Sequence, residues 1–181
     1  LYNLAKYEEA LALFKDLAAE NPDEQEYWSL MVNVYLNLGD DSKAASTLEI
    51  IRRMGQASPK NLGLLGDIYL NQQAFSLALE AYQEALKTGD GLPAETPLRT
   101  VDILYTYGSY QLAEQLIKDV RARYSKSLNK EQSMKLLTIE AGLASARGDE
   151  DAARQSLEKI VKQDATQAGA LIELARIYYK Q

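Results

Sequence analysis

Residues 25–58 read QEYWSLMVNVYLNLGDDSKAASTLEIIRRMGQAS, and residues 59–92 read PKNLGLLGDIYLNQQAFSLALEAYQEALKTGDGL. Set one above the other, these two 34-residue stretches bring Trp28 over Leu62, Tyr35 over Tyr69 and Ala44 over Ala78. Leu48 then falls over Tyr82, Ile51 over Ala85, and Ala10 stands another 34 residues before Ala44. A period of this size marks a repeat solenoid, in which each unit is too small to bury its own apolar face and must stack on its neighbours.

Within one unit the pattern is that of two helices joined by a tight corner. Trp28, Met31, Val32 and Tyr35 recur at i, i+3, i+4 and i+7, one face of a helix. Gly39 suits the left-handed position that ends a helix, and Asp40-Asp41 supplies a carboxylate to cap the next. Ala44, Leu48 and Ile51 give the second apolar face. In the following unit Leu62, Leu65, Gly66 and Tyr69, then Ala78, Tyr82 and Ala85, repeat the scheme, with Pro59 in a first turn where proline is tolerated.

The period then drifts. Ala113 follows Ala78 by 35 residues, and Ala153 follows Ala113 by 40. A longer loop is predicted at Gly89–Thr96, and a lengthened helix at about 129–147, with corners at Gly108-Ser109 and Gly148-Asp149. Ala168–Lys180 carries Leu171, Leu174, Ala175 and Tyr178 at first-helix spacing. The segments expected from this reading are 1–24 (a second helix only), 25–58, 59–92, 94–127, 128–167 and 168–181 (a first helix only), in a single solenoid over 1–181. The unpaired ends predict a fragment or processed product, with weak self-association through both ends.

These residues resemble tetratricopeptide repeats. Trp28, Tyr35, Gly39 and Ala44, then Leu65-Gly66, Tyr69, Ala78, Tyr82 and Ala85, and Ala10, Phe14 and Pro22, match that family's W-x2-L-G-x2-Y, Gly, A-x3-F/Y-x2-A and Pro pattern. Val32 and Val101 depart from its small residue, and Leu104 and Ala144 from its tyrosine. The resemblance implies an all-α, right-handed α-solenoid of antiparallel helix pairs, with first helices lining a concave groove that binds a peptide or protein partner. The residues expected in that groove are Ser29, Asn33, Leu36 and Asn37, then Lys60, Asp67, Leu70 and Asn71, then Leu98, Arg99, Asp102 and Tyr105. Some family members clamp a chaperone's terminal carboxylate there. Asn33 and Arg99 match two of those places, whereas Ser29, Leu64 and Glu95 break the set, and that specificity is not carried over.

Composition narrows the classes of function. The 181-residue chain has net charge −6, no His and no Cys. Ser-His-Asp and Cys-His centres cannot be built from it, no phosphate-binding loop motif occurs, and no catalytic, metal or cofactor site is expected. Acidic pairs such as Asp40-Asp41 read as helix caps, Arg147-Gly148-Asp149 as a corner, and Lys118–Lys126 as cations at a helix C-terminus. An acidic balance disfavours nucleic acid and no stretch is long enough to span a membrane. The expected function is a non-catalytic protein-interaction scaffold. The alternatives are the targeting arm of a larger enzyme, or a bacterial envelope-assembly or export factor. The expected chain is soluble, in cytoplasm or periplasm.

Overall fold

The computed structural model describes residues 2–89 and 91–180, and for residues 2–5 and 180 the backbone alone. Among the described residues there are ten α-helices and no strand. They are α1 (Tyr2–Glu20), α2 (Gln25–Asn37), α3 (Asp41–Arg53), α4 (Pro59–Asn71), α5 (Phe75–Thr88), α6 (Glu95–Thr106), α7 (Tyr110–Tyr124), α8 (Lys130–Ala146), α9 (Glu150–Gln163) and α10 (Ala168–Lys180). The helices form two compact units, 1–92 and 93–181. Helix α6 starts within the loop predicted at Gly89–Thr96, so Thr96 and Pro97 belong to its first turn. Asp90 of that loop, and Leu1 and Gln181 of the two end segments, lie outside the described residues.

The corners show why the chain reverses where it does. After α2, Gly39 has φ 72°, the amide of Asp40 donates to Tyr35 O at 2.9 Å, and that of Gly39 to Leu36 O at 3.1 Å. This pair of bonds satisfies the last carbonyls of the helix. The same six-to-one bond recurs from Ala74 to Tyr69, Ser109 to Leu104 and Asp149 to Ala144. Gly108 and Gly148 hold the left-handed position in two of these corners, at φ 73° each. In the α4–α5 corner that position falls to Gln73, at φ 58°. The next helix opens at once: Asp40 accepts from Lys43 N and Asp149 from Ala152 N, each at 3.0 Å.

In the first unit α2 packs on α3 and α4 on α5, with α1 against α2 and α3 against α4. Ala44 and Ala78 are fully buried, as expected of the point where paired helices approach most closely. Tyr82 is fully buried too, with its ring flat on Gly66, where a Cβ would lie 2.8 Å from Cζ. Its hydroxyl donates to Asp67 Oδ1 at 2.6 Å, so the apolar body packs while the polar tip is satisfied. Tyr69 donates to Glu49 Oε1 at 2.9 Å, and Arg52 reaches both Glu49 and Glu84, which ties α3, α4 and α5 together. At the other end of the unit Trp28, half-buried, donates its indole N–H to Pro22 O at 2.8 Å.

In the second unit α6 packs on α7 and α8, α7 also on α8, and α8 on α9, which carries α10. The lengthened helix is α8, opened by a capping box between Asn129 and Gln132. Ala113 and Ala153 hold the close approaches at 0% and 1% exposure. Ionic cross-links are prominent here: Arg121 donates twice to Glu140 at 2.6 and 2.8 Å, and Arg147 pairs with Glu114; between α9 and α10 the Tyr178 hydroxyl donates to Glu158 at 2.8 Å. In α10 the seam against the core is Ala170 and Ile177, both buried, with Leu174 half-buried beside them, whereas Leu171 and Tyr178 are 42% and 49% exposed. The helix is apolar nearly all round, so spacing alone does not select a face, and α9 selects the narrow one it touches.

Candidate functional site

The first helices of each unit carry the residues expected to line a groove. On α2, Asn33 and Asn37 are exposed and Ser29 is half-buried; on α4, Lys60 and Asn71 are exposed and Asp67 is half-buried. Two of these side chains already serve the fold. Asn37 accepts from the Tyr7 hydroxyl at 3.3 Å and donates to Asn33 O at 2.7 Å, and Asp67 holds the Tyr82 hydroxyl. Leu36 is half-buried against the unit's core. Leu70 is 6% exposed and does not face a groove: it continues the face of Gly63 and Gly66 at i, i+3 and i+7, toward the packed side. Leu98 is 4% exposed and packs with the stripe that includes the fully buried Val101.

In the second unit Arg99 is exposed, and Asp102 and Tyr105 are half-buried. Lys135 of α8 pairs with Asp102 at 2.9 Å, and Gln132 donates to Glu95 at 2.7 Å, so α6 and α8 are bridged by polar contacts along this face. Tyr105 reaches across to α8, where its hydroxyl presses on Gly142 so closely that no Cβ fits there. Its ring also meets that of Tyr110, with centroids 5.7 Å apart and planes at 36°.

Beside Tyr105 opens a cleft of about 690 Å³ between α8 and α10. Its lining includes Leu157 and Ile160 of α9, Thr138 and Gly142 of α8, and Gly169, Ile172 and Arg176 of α10. Small residues make the space: a Cβ added at Gly169 would meet nothing within 4 Å. The volume lies in the range of small-ligand and side-chain pockets. Apolar lining from α9 and a rim with Tyr105, Gln167, Glu173 and Arg176 can seat an apolar side chain while hydrogen-bonding the backbone that carries it. Glu173 and Arg176 are paired at 2.6 Å on the rim. The helical pattern marks Tyr105 for a first-helix groove, and no local pattern marks this cleft, because its lining comes from four helices.

Two groups titrate well away from their ordinary range. Burial, then the hydrogen bond to Glu49, pushes the Tyr69 phenol up to about 12. Hydrogen bonds from the Thr166 hydroxyl, the Gln167 amide and the Thr166 backbone hold the Asp164 carboxyl down at about 2. Among the described residues no three His, Cys, Asp or Glu side chains gather to hold a metal, and no helix is long and apolar enough to cross a membrane.

The family model for the tetratricopeptide repeat matches residues 4–68. Two curated relatives share low identity: human protein O-mannosyl-transferase TMTC1, 26% over 164 residues, and TPR repeat-containing protein YpiA of Bacillus subtilis (strain 168), 24% over 125 residues. The matches cover 89% and 69% of this chain but only 18% and 29% of those relatives, so the chain spans less than a third of either. Among solved structures, YrrB, a TPR protein with an unusual peptide-binding site, superposes with TM-score 0.58 at 17% identity, covering 94% of this chain and 84% of its own. MamA superposes with TM-score 0.57 at 14% identity, covering 91% and 92%. This fold suggests a scaffold for protein–protein contacts. The family's sequence pattern at residues 4–68 and the helix-pair architecture of the fold support a tetratricopeptide-repeat protein.

Proposed function

We propose that the chain binds an extended peptide or protein segment on its first-helix faces, with the cleft beside Tyr105 as the principal seat. The observation that carries this reading is an apolar-lined cleft of about 690 Å³ with a hydrogen-bonding rim. An apolar anchor in a pocket within a polar surround is how interfaces concentrate their affinity. Arg99 and Asp102 of the second unit are the polar contacts proposed alongside it; Asn33, Lys60 and Asn71 are proposed as a separate contact face of the first unit. Ser29, Asn37 and Asp67 are proposed as their supports. The peptide-binding site named for YrrB is in keeping with a peptide ligand. The test selects peptides from a random library on the intact chain and then measures them on Gly169→Leu, a change that fills the cleft without touching the core. Loss of binding with an unchanged melting temperature is expected. Binding that survives Gly169→Leu but disappears in Asn33→Ala/Asn71→Ala moves the seat to the first unit.

A second reading rests on the similarity to TMTC1, whose name is that of a transferase. In it the repeats are the targeting arm of a larger enzyme; the third reading is a bacterial envelope-assembly or export role. The exposed Leu171, Ile172 and Tyr179 of α10 support the proposal of weak self-association. Light scattering across a concentration series tests it, and a strictly monomeric chain at high concentration removes it.

A further inference from the structure

Helix α4 has two notches on one face, Gly63 and Gly66. Tyr82 of α5 fills the second. The first is filled by a residue that belongs to no helix. Leu92 lies beyond the end of α5, yet it is only 7% exposed. Its Cδ1 sits 2.5 Å from where a Cβ on Gly63 would be. Gly89 and Gly91, before Leu92, have φ 143° and 135°, and a Cβ on Gly91 would lie 3.8 Å from Pro59 Cβ at the start of α4. Only glycine adopts such angles readily, so the two glycines suit the approach of Leu92 to α4.

We propose that Leu92 is a latch: a single side chain, supplied from outside the helices, that plugs the Gly63 notch and closes α4 of the first unit. With the plug seated, the first unit covers this face from within residues 1–92. With it released, α4 carries an open apolar notch between Lys60 and Asp67, which flank Gly63 on the same helix at i−3 and i+4. The latch does not depend on the peptide-binding reading, since it concerns order in α4 whether or not a ligand binds.

The test is a size swap read by amide hydrogen exchange on the full chain, which resolves local opening segment by segment. Leu92→Ala empties the notch and is expected to speed exchange across Leu62–Leu70 about tenfold, with α8 and α9 unchanged. Gly63→Ala, which ordinarily steadies a helix interior, is expected here to speed the same amides, because its methyl displaces Leu92. The double variant is expected to exchange more slowly than either single one, the new methyl occupying the space that Leu92 left. Unchanged exchange in Leu92→Ala overturns the latch, as does Gly63→Ala that slows exchange by itself. A double variant as fast as the two effects combined also overturns it, because the notch and Leu92 would then not share one space. Leu92→Met, which keeps an apolar plug, separates loss of the latch from general misfolding: it is expected to match the parent.

Discussion

The two units solve the same packing problem with a different balance of the same chemistry. The first has seven Lys and Arg against fourteen Asp and Glu; the second has thirteen against twelve. The first sets two tyrosine hydroxyls on carboxylates, Tyr82 on Asp67 and Tyr69 on Glu49, beside the ion pair of Arg52 with Glu84. The second leans on ion pairs, Arg121 on Glu140, Arg147 on Glu114 and Lys135 on Asp102, beside the tyrosine bond of Tyr178 to Glu158. The family's sequence model matches residues 4–68, all within the first. In the second, Leu104 and Ala144 stand where the pattern has tyrosine, yet Leu104 is fully buried and Ala144 is 2% exposed. What both units keep is a small residue at the close approach and a left-handed corner. The repeat is therefore held by where its helices touch and turn. The side chains that bridge them are free to change.

The strongest way to break that conclusion is to enlarge the close approach in each unit. Ala78→Trp and Ala113→Trp both replace a fully buried methyl, and each is expected to cost roughly 1–3 kcal/mol or more by overpacking. Thermal melts measure the loss and hydrogen exchange places it in the unit altered. If Ala113→Trp melted like the parent while Ala78→Trp did not, the second unit would not depend on close helix approach and the shared rule would fall.

A smaller effect compares corners. Gln73 adopts a left-handed φ of 58° where Gly148 does so at 73°, and a residue with a Cβ is disfavoured there by about 1–2 kcal/mol. Gln73→Gly is expected to raise stability by roughly 1 kcal/mol, less what glycine's freedom returns to the unfolded chain, and Gly148→Gln to lower it by a similar amount. Denaturant midpoints measure both. No gain in Gln73→Gly would show that the first unit's corner is relaxed by contacts the second lacks.

The smallest effect is electrostatic. The Tyr69 phenol, raised to about 12, stays protonated in the folded chain at a pH where an unfolded tyrosine ionises, near 10. Its contribution is complete below pH 10 and declines as pH rises toward 12, because the unfolded state then gains by losing the proton first. Tyr69→Phe is expected to flatten that decline in a series of melts. An equal decline in the variant assigns it to other groups.

The period was legible because the residues that carry it are those with least freedom. Ala44, Ala78, Ala113 and Ala153 are each exposed by 1% or less, and a small residue keeps its place at each pair even where the spacing drifts to 40 residues. The corner at Gln73 carries no glycine to mark it, and only the repeat of the two-helix scheme points to it. Helical spacing assigns Leu70 and Leu98 to a groove, yet both are buried, at 6% and 4% exposure, since an isolated leucine on a helix does not say which neighbour will cover it. The candidate site was the least legible part. Asn37 and Asp67 look like free polar groups until Tyr7 and Tyr82, both distant in sequence, are found bonded to them. The cleft needs Tyr105, Gly142, Ile160 and Gly169 together, four residues on four helices, and no local pattern joins them.

The indole N–H of Trp28, bonded to Pro22 O at the corner between α1 and α2, makes the molecule an uneven optical reporter. It is the chain's one tryptophan, so indole emission excited at the red edge originates wholly in the first unit. Opening of the α1–α2 corner will shift that light, whereas events in the second unit must be followed through its tyrosines or through a tryptophan placed there.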